Sequence, residues 1–391
     1  MRWHSHLNSA VKIIGQYTGE QPFSVFLKNY FSANKKFGSK DRKQIAHLCY
    51  CYFRLGKAIK HVPIDERILI GLFLCSTEST EILKEIRPEW NSRADASIHE
   101  KTSLINHEIR VGDIFPWSGE LSDGINHEKF CASFLIQPHL YLRIMPPYRQ
   151  QVITRLGAAR IDFNEIEAGC LSFPNATKIE NILELDREAV VQDYNSQKTA
   201  GYIQSSITNL KSKIKAWDCC AGSGGKSLLL YDLCPEVDLT VSDVRASILT
   251  NLEKRFAKAG IKRYTSFLVD LSNLDSPFTI DHSPFDLIIC DAPCTGSGTW
   301  SRTPEQLYFF DDNKIDHYAS LQRRIISNVI PHLKPGGFFI YITCSVFRKE
   351  NEEMAQMIRQ EYQFRFVNMD VLKGYDKKAD TMFVSLFTKA S

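Results

Sequence analysis

A chain of 391 residues has room for two or three domains with sizeable buried cores. Hydrophobic residues at 43% and charged residues at 24% are ordinary globular values, and a net charge of +3 leaves any nucleic-acid affinity to local patches. Eleven cysteines, odd in number and diluted along the chain, with no apolar leader after Met1 and no run of about 18 apolar residues, exclude a disulfide scaffold and a membrane-spanning helix and point to a reducing cytoplasm.

Residues 1–130 read as a helical RNA-binding or accessory domain, with apolar positions at 3.6-residue spacing: Leu7, Val11 and Ile14, then Phe23, Phe26, Leu27 and Tyr30, then Ile45, Leu48, Cys49, Tyr52 and Phe53. A basic run, Lys28, Lys35, Lys36, Lys40, Arg42 and Lys43, is interleaved with Tyr30, Phe31 and Phe37. It is either a solvated face or a patch that contacts phosphates. Residues 131–195 read as a small α+β module, with strands at Leu140–Ile144 and Ala189–Gln192 around a short helix at Gln150–Leu156.

From residue 196 to 391 strands and helices alternate, the pattern of a parallel sheet covered by helices. Strands are expected at Ile214–Asp218, Leu239–Ser242, Thr265–Val269, Phe285–Cys290 and Phe338–Thr343, with a last pair near Phe364–Val367 and Met382–Phe387. Helices are expected near 225–234, 245–259, 316–333 and 350–361, and Pro335-Gly336-Gly337 reads as a turn ahead of the fifth strand.

Two cysteines directly follow apolar strands: Cys294 in Asp291-Ala-Pro-Cys-Thr-Gly-Ser-Gly298 and Cys344 in Thr343-Cys-Ser345. Ligands of open α/β sheets bind outside the carboxyl ends of the strands, so both thiols are expected to face one crevice. Each alone is as easily a buried packing residue; the pair in these contexts reads as catalytic. No His/Cys cluster has zinc spacing, the adjacent Cys219 and Cys220 are too close for ordinary ligation, and no metal is expected.

The segment Asp218-Cys219-Cys220-Ala221-Gly222-Ser223-Gly224-Gly225-Lys226 is a strand end followed by a glycine-rich turn that opens a helix. A turn without a ligand is one reading. A nucleotide-triphosphate loop wants glycine where Cys220 stands, and a dinucleotide fingerprint breaks at its sixth position. S-adenosylmethionine is the third reading: Asp243 ends the next strand and suits ribose hydroxyls, and Asp270 follows the third strand and suits an adenine amino group. Each Asp alone is as easily a cap or turn residue.

The combination of Cys-Cys-Ala-Gly-Ser-Gly-Gly-Lys226, Asp-Ala-Pro-Cys-Thr-Gly-Ser-Gly298 and Thr-Cys-Ser345 followed by Glu350-Asn351 resembles the RsmB/Nop/Sun-type RNA (cytosine-5)-methyltransferases. Gly298-Thr-Trp-Ser-Arg-Thr-Pro-Glu305, Gln322, Lys334-Pro-Gly-Gly337 and Val191-Gln-Asp193 are similar to that family too. The resemblance implies a Rossmann-like class I methyltransferase domain that methylates carbon 5 of cytosine in RNA. It makes Cys344 the nucleophile and Cys294 the thiol that helps release product, with Asp291 holding the base and Lys226 at the edge of the site. It assigns cofactor contacts to Cys220, Ala221, Gly222, Ser223, Gly224, Gly225, Lys226, Asp243, Arg245, Asp270 and Asp291. Ser223 departs from the family's usual proline, and Asp380-Thr-Met-Phe383 departs from its usual Gly-Phe-Phe.

The chemistry accounts for the residue types. Carbon 5 of cytosine is a poor nucleophile, and addition of a thiolate to carbon 6 makes it enamine-like. The carbon-5 proton must then leave before the sulfur can be expelled, which calls for a second group beside the adduct. The target base must also be unstacked. Arg302, Tyr308, Phe309 and Phe310 follow the first cysteine motif and either meet RNA or pack into a core. The expected partner is RNA, with small-subunit ribosomal RNA first and transfer RNA second; the protein is expected to be monomeric and to make no membrane contact. A catalytically silent RNA-binding assembly factor with the same fold is the alternative, and loss of either cysteine or of Asp291 would mark it.

Overall fold

The computed structural model describes residues 2–208, 210, 213–273 and 284–390, and by proximity of its chain segments the protein divides into two compact units. One unit comprises Met1–Gly119, Asn126–Gln137 and Thr299–Asp311; the other comprises Glu120–Ile125, Pro138–Gly298 and Asp312–Ser391. No helix among the described residues is long and apolar enough to cross a membrane.

The second unit holds two sheets. The smaller is built from β1 (Leu140–Ile144), β2 (Asn164–Glu167), β3 (Cys170–Phe173) and β4 (Ala189–Val191), ordered β2-β3-β1-β4 and antiparallel throughout. Leu142, Ile144, Leu171 and Phe173 from this sheet pack on Val152 and Leu156 of the helix Arg149–Ala158. β2 and β3 were not anticipated. Every β2 residue is exposed, so it carries no apolar alternation, and β3 is only four residues long.

The larger sheet is the expected Rossmann-like one. It consists of β5 (Lys215–Asp218), β6 (Asp238–Asp243), β7 (Thr265–Leu268), β8 (Phe285–Asp291), β9 (Leu333–Thr343), β10 (Arg365–Leu372) and β11 (Met382–Thr388). The order is β10-β11-β9-β8-β5-β6-β7, with β5 to β9 parallel and β11 and β10 added antiparallel at one edge. The buried strands are apolar on both faces because helices cover both. Ala216, Leu287, Ile289 and Ile340 pack with Leu228 of the helix Gly225–Leu233 and Leu252 of the helix Ala246–Ala259. Trp217, Ile288, Cys290 and Tyr341 face Ile326 of the helix Asn313–Val329 and Ile358 of the helix Glu352–Glu361. The chain moves outward from β5 through β6 to β7, then restarts on the other side at β8. That reversal beside β5 is the place where such folds leave a crevice.

The segment Pro335-Gly336-Gly337 is part of β9 and not a turn ahead of it. Gly336 takes φ +72°, which suits glycine, and its N–H donates to Lys389 O (3.0 Å) while Lys389 N–H donates to Gly337 O (2.9 Å). The kink is absorbed as an irregular register against Phe285.

The first unit is helical, as its periodicity indicates, with Arg2–Gln16, Phe23–Ala33, Ser39–Arg54 and Ile64–Cys75 as its longer helices. The segment Thr299–Asp311 belongs to this unit. Trp300 and Leu307 are fully buried, Tyr52 and Tyr308 hydroxyls meet at 2.9 Å, and Lys57 Nζ donates to the carbonyls of Tyr308 (3.1 Å) and Phe310 (2.6 Å). Of the two readings of Tyr308 and Phe310, packing into a core is the one the fold realises. In the basic run, Lys28, Lys35, Lys36, Lys40 and Lys43 are exposed.

Candidate active site

The geometry of the site follows from adjacency of β8 and β9. Asp291 pairs with Ile342 across the two strands, and Ala292 N–H continues the ladder to Ile342 O (2.9 Å). Each chain then leaves the sheet within three residues, at Cys294 and Cys344. Their Sγ atoms are 3.3 Å apart, and both side chains are half-buried. The hydrogen bond to Cys344 and burial push the Cys294 thiol well above its usual range.

A buried carboxylate holds the two loops together. Glu350 is fully buried and accepts from Thr295 N–H (2.9 Å), Thr295 Oγ1 (2.6 Å), Ser345 Oγ (2.5 Å) and Gln322 Nε2 (3.1 Å). Gln322 also donates to Pro293 O (3.0 Å). Asn351 accepts from Thr343 Oγ1 and donates to Ser345 O (2.9 Å), so Glu350 and Asn351 between them grip the residues flanking both thiols. Burial pushes the Glu350 carboxyl up, and the hydroxyl and amide donors oppose that shift without cancelling it. Gly298 completes the frame. Its N–H donates to Cys344 O (2.8 Å) and its carbonyl accepts from Thr381 N–H (3.0 Å), an approach so close that a Cβ there would stand 1.9 Å from Thr381 O. Thr381 lies in the segment Asp380-Thr-Met-Phe383.

Beside the thiols lies a cavity of about 550 Å³, within the ordinary range for a small-molecule site. Cys220, Asp243, Arg245, Asp270, Asp291 and Cys294 are in its wall, which brings together the three acids at or just past strand ends and the first cysteine. Asp243 accepts from Gly222 N–H (3.0 Å) and from Arg245 N–H (2.9 Å) and Nε (3.0 Å). Burial favours its neutral form, but these donors outweigh it and hold the carboxyl below its usual range. Asp270 accepts from Ser272 N–H (2.9 Å) and Oγ (2.7 Å), closing a turn.

Lys226 is nearly buried. It donates to Asp291 Oδ2 (3.0 Å) and to Ser196 Oγ (2.9 Å), so it reaches the site through Asp291. Ala221, Ser223, Gly224 and Gly225 shape the loop through their backbones. Ala221 N–H donates to Ser242 O (2.9 Å) and Gly224 N–H to Ala221 O (2.8 Å), while Ser223 O accepts from Arg255 (2.7 Å) and Gly225 O from Gln192 (3.3 Å). Gly222 takes φ +54° and has open space where a Cβ would point.

A family model described as 16S rRNA methyltransferase RsmB/F matches residues 206–387. Over that segment the chain is similar to the RsmB/F family. The ribosomal RNA small subunit methyltransferase B of Shewanella oneidensis is 32% identical over 171 residues, 44% of this chain and 38% of that relative. That of Xanthomonas campestris pv. campestris is 31% identical over 170 residues, with the same shares. The chain therefore matches well under two thirds of the length of these relatives. Two solved structures share the fold. A crystal structure titled PH0851 covers 98% of both chains at a TM-score of 0.73 and 17% identity. A methyltransferase homolog protein from Pyrococcus horikoshii covers 68% of this chain and 92% of its own at 0.56 and 19% identity.

Several wall residues carry no signal in the sequence reading. Val244 follows Asp243 directly and is 56% exposed, a signal visible only once the strand end is known. His317 and Tyr318 come from the helix Asn313–Val329, far in sequence from the glycine loop, and no motif marks them. The fold also adds Cys290 of β8 to the adjacent Cys219 and Cys220, bringing three sulfurs within 4.8 Å of one another.

Proposed function

We propose that the protein transfers a methyl group from S-adenosylmethionine to carbon 5 of a cytosine in RNA, small-subunit ribosomal RNA first, through a covalent adduct to Cys344. The observation that carries this reading is the 3.3 Å separation of the Cys294 and Cys344 sulfurs beside a cavity walled by Asp243, Asp270 and Asp291.

The cavity suits a nucleoside. Asp243 at a strand end offers acceptors to ribose hydroxyls, Asp270 offers one to an amino group, and the exposed Val244 offers an apolar surface to a base. No phosphate-binding pattern is needed, because the glycine-loop N–H groups of Ala221, Gly222 and Gly224 are occupied by Ser242, Asp243 and Ala221. When bound, S-adenosylmethionine supplies an electrophilic methyl group.

The residues of the chain do the rest. Cys344 as thiolate forms a bond to carbon 6 of an unstacked cytosine, and Asp291, which Lys226 holds by a hydrogen bond, is the group offered to the base edge. The pair of the former ring double bond makes carbon 5 the nucleophile for the methyl group, whose bond to the sulfonium would break with its electrons left on a departing thioether. Cys294, directly or through one water, accepts the carbon-5 proton. The carbon–sulfur electron pair returns to Cys344 as the ring double bond reforms. Two causes that hold the Cys294 thiol high come from Cys344: its hydrogen bond and its charge. Once Cys344 is bonded to carbon both are gone, so Cys294 becomes easier to ionise at the step that needs a base.

The names of the curated relatives support ribosomal RNA of the small subunit over transfer RNA. The test is incubation with methyl-labelled cofactor and either small-subunit or transfer RNA, followed by position-resolved detection of 5-methylcytosine. Label is expected in the ribosomal RNA. Cys344→Ala should abolish incorporation, whereas Cys294→Ala should accumulate a denaturation-resistant protein–RNA complex. The complex appearing with Cys344→Ala instead would reverse the roles, and label on transfer RNA alone would replace the substrate.

A further inference from the structure

Three other thiols lie at the sheet's carboxyl edge: Cys219 and Cys290 take no part in this chemistry, and Cys220 beside them is also in the wall of the nucleoside cavity. Cys219 and Cys220 follow β5 directly, and Cys290 is the penultimate residue of β8. β5 and β8 are parallel neighbours with Asp218 opposite Ile289, and Cys219 N–H extends the ladder to Ile289 O (3.0 Å). The next pair in register is therefore Cys219 with Cys290, both on the face shared with Trp217 and Ile288. Cys219 is 1% exposed, Cys290 is fully buried, and Cys220 turns back beside them half-buried. All three sulfurs lie within 4.8 Å of one another. Among the described residues no His, Asp or Glu joins them as a fourth ligand atom at that spacing.

Around a single ion with metal–sulfur bonds of about 2.3 Å, three sulfurs in a trigonal array stand about 4.0 Å apart. The observed upper limit of 4.8 Å leaves a contraction of at most about 0.8 Å, which small side-chain rotations supply. Cys219 and Cys220 both open onto the 550 Å³ cavity, so an ion has an entry path. Donor type and number then select the ion. Magnesium and calcium want many oxygens, and zinc wants four ligands. Three sulfurs alone suit a soft cation content with low coordination.

We propose that Cys219, Cys220 and Cys290 form a three-sulfur site for a thiophilic soft cation, with copper(I) as its fitting representative. Binding is proton exchange: each thiol that becomes a metal–sulfur bond releases its proton to solvent, and no electron is transferred. The site is independent of the cysteine pair, and it stands whether or not the chain methylates RNA.

The Cys294–Cys344 pair can also take copper(I), so the titration is done on the full chain carrying Cys294→Ala and Cys344→Ala; copper held at other thiols, such as Cys51 and Cys75, is told apart because it does not respond to changes at Cys220 and Cys290. Copper(I) is offered as its complex with a coloured chelator under reducing, anaerobic conditions. One equivalent should be withdrawn, and X-ray absorption of the bound ion should show three sulfur neighbours. Adding Cys290→Ala should lower copper affinity at least a hundredfold. Adding Cys220→Ser, a near-isosteric change at a half-buried position on the edge of the core, should do the same and guards against a folding defect at Cys290. Absence of copper uptake in the Cys294/Cys344 background would overturn the site, and so would uptake insensitive to both further substitutions. Two sulfur neighbours in place of three would also overturn it.

Discussion

Removing the Glu350 carboxylate separates the fastening of the two cysteine loops from their chemistry. Glu350→Ala leaves Thr295 N–H without its acceptor in a fully buried position and opens a void where the side chain stood. The hydroxyls of Thr295, Ser297 and Ser345 lie 3.1–3.2 Å from one another and can re-pair, and Gln322 keeps Pro293 O. One orphaned main-chain donor costs about 1–3 kcal/mol, and the lost methylenes add about 1–2 kcal/mol. The expected loss is about 3 kcal/mol. Glu350→Gln is different, because its amide oxygen can serve Thr295 N–H and Gln322 while its NH₂ donates to hydroxyls that rotate to accept. About 1 kcal/mol is expected there.

Hydrogen exchange of peptides covering Pro293–Gly298 and Thr343–Phe347 reads these changes locally, free of the helical unit. Protection should collapse in Glu350→Ala and fall about fivefold in Glu350→Gln, by the conversion of 1.4 kcal/mol to a factor of ten. The thiols give a second readout. The Glu350 charge is one of the causes holding Cys294 up, so in Glu350→Gln the Cys294 thiol should titrate lower and be alkylated faster at pH 8. pH supplies a third. Burial raises the Glu350 carboxyl above 4.5 in the folded state, so the native protein binds that proton more tightly than the unfolded chain. Stability from this group is fully present below pH 4.5 and is lost as pH rises through the folded value. The wild type should therefore lose ground against Glu350→Gln between pH 4.5 and pH 8. Equal loss of protection in the Gln and Ala variants would refute the fastening argument, as would a wild type that gains on Glu350→Gln with rising pH.

Other substitutions follow from the same geometry. Gly298→Ala puts a Cβ 1.9 Å from Thr381 O and 3.0 Å from Cys344 O, backbone atoms that cannot swing aside, so methyl transfer and protection of the Cys344 loop should both be lost. Gly222→Ala meets nothing within 4 Å and strains only its φ of +54°, so thermal unfolding should show a cost of about 1 kcal/mol. Lys226→Met removes the cation from Asp291, and labelled-methyl incorporation should drop at least tenfold with little change in the far-ultraviolet spectrum. In a double-mutant cycle with Asp291→Asn the effects should be non-additive; full additivity would mean the pair does not act together. In the helical unit, fully buried Arg67 donates to the carbonyls of Gly56 (2.8 Å) and Ala58. Arg67→Met should cost that unit about 3 kcal/mol in denaturant, and a loss under about 1 kcal/mol would show the carbonyls are satisfied otherwise.

What the sequence made legible depended on how local the signal was. The parallel strands were readable because burial on both faces makes them apolar runs, and Phe285–Asp291 and Phe338–Thr343 declared the two thiols by ending just before them. β2 was invisible because its four residues are all exposed and show no apolar alternation. Gly336 misled because a glycine pair marks a turn by frequency, while here its freedom lets β9 bend and still bond to Lys389. The site divides along the same line. Asp243 and Asp291 end their strands and Asp270 lies two residues past β7, where position in sequence sets position in space, and all three reach the cavity wall. Lys226 lies on the helix after the glycine loop and reaches the cavity only through Asp291, a pairing that depends on β5 and β8 being neighbours. Glu350 was visible as part of a motif but not as a fastener, since its acceptor role needs Thr295, 55 residues away, to arrive at 2.9 Å. The three thiols carry the point furthest. Cys219 and Cys220 were set aside as ligands because neighbours in sequence seldom share an ion, and only the β5–β8 register supplies Cys290 as the third sulfur.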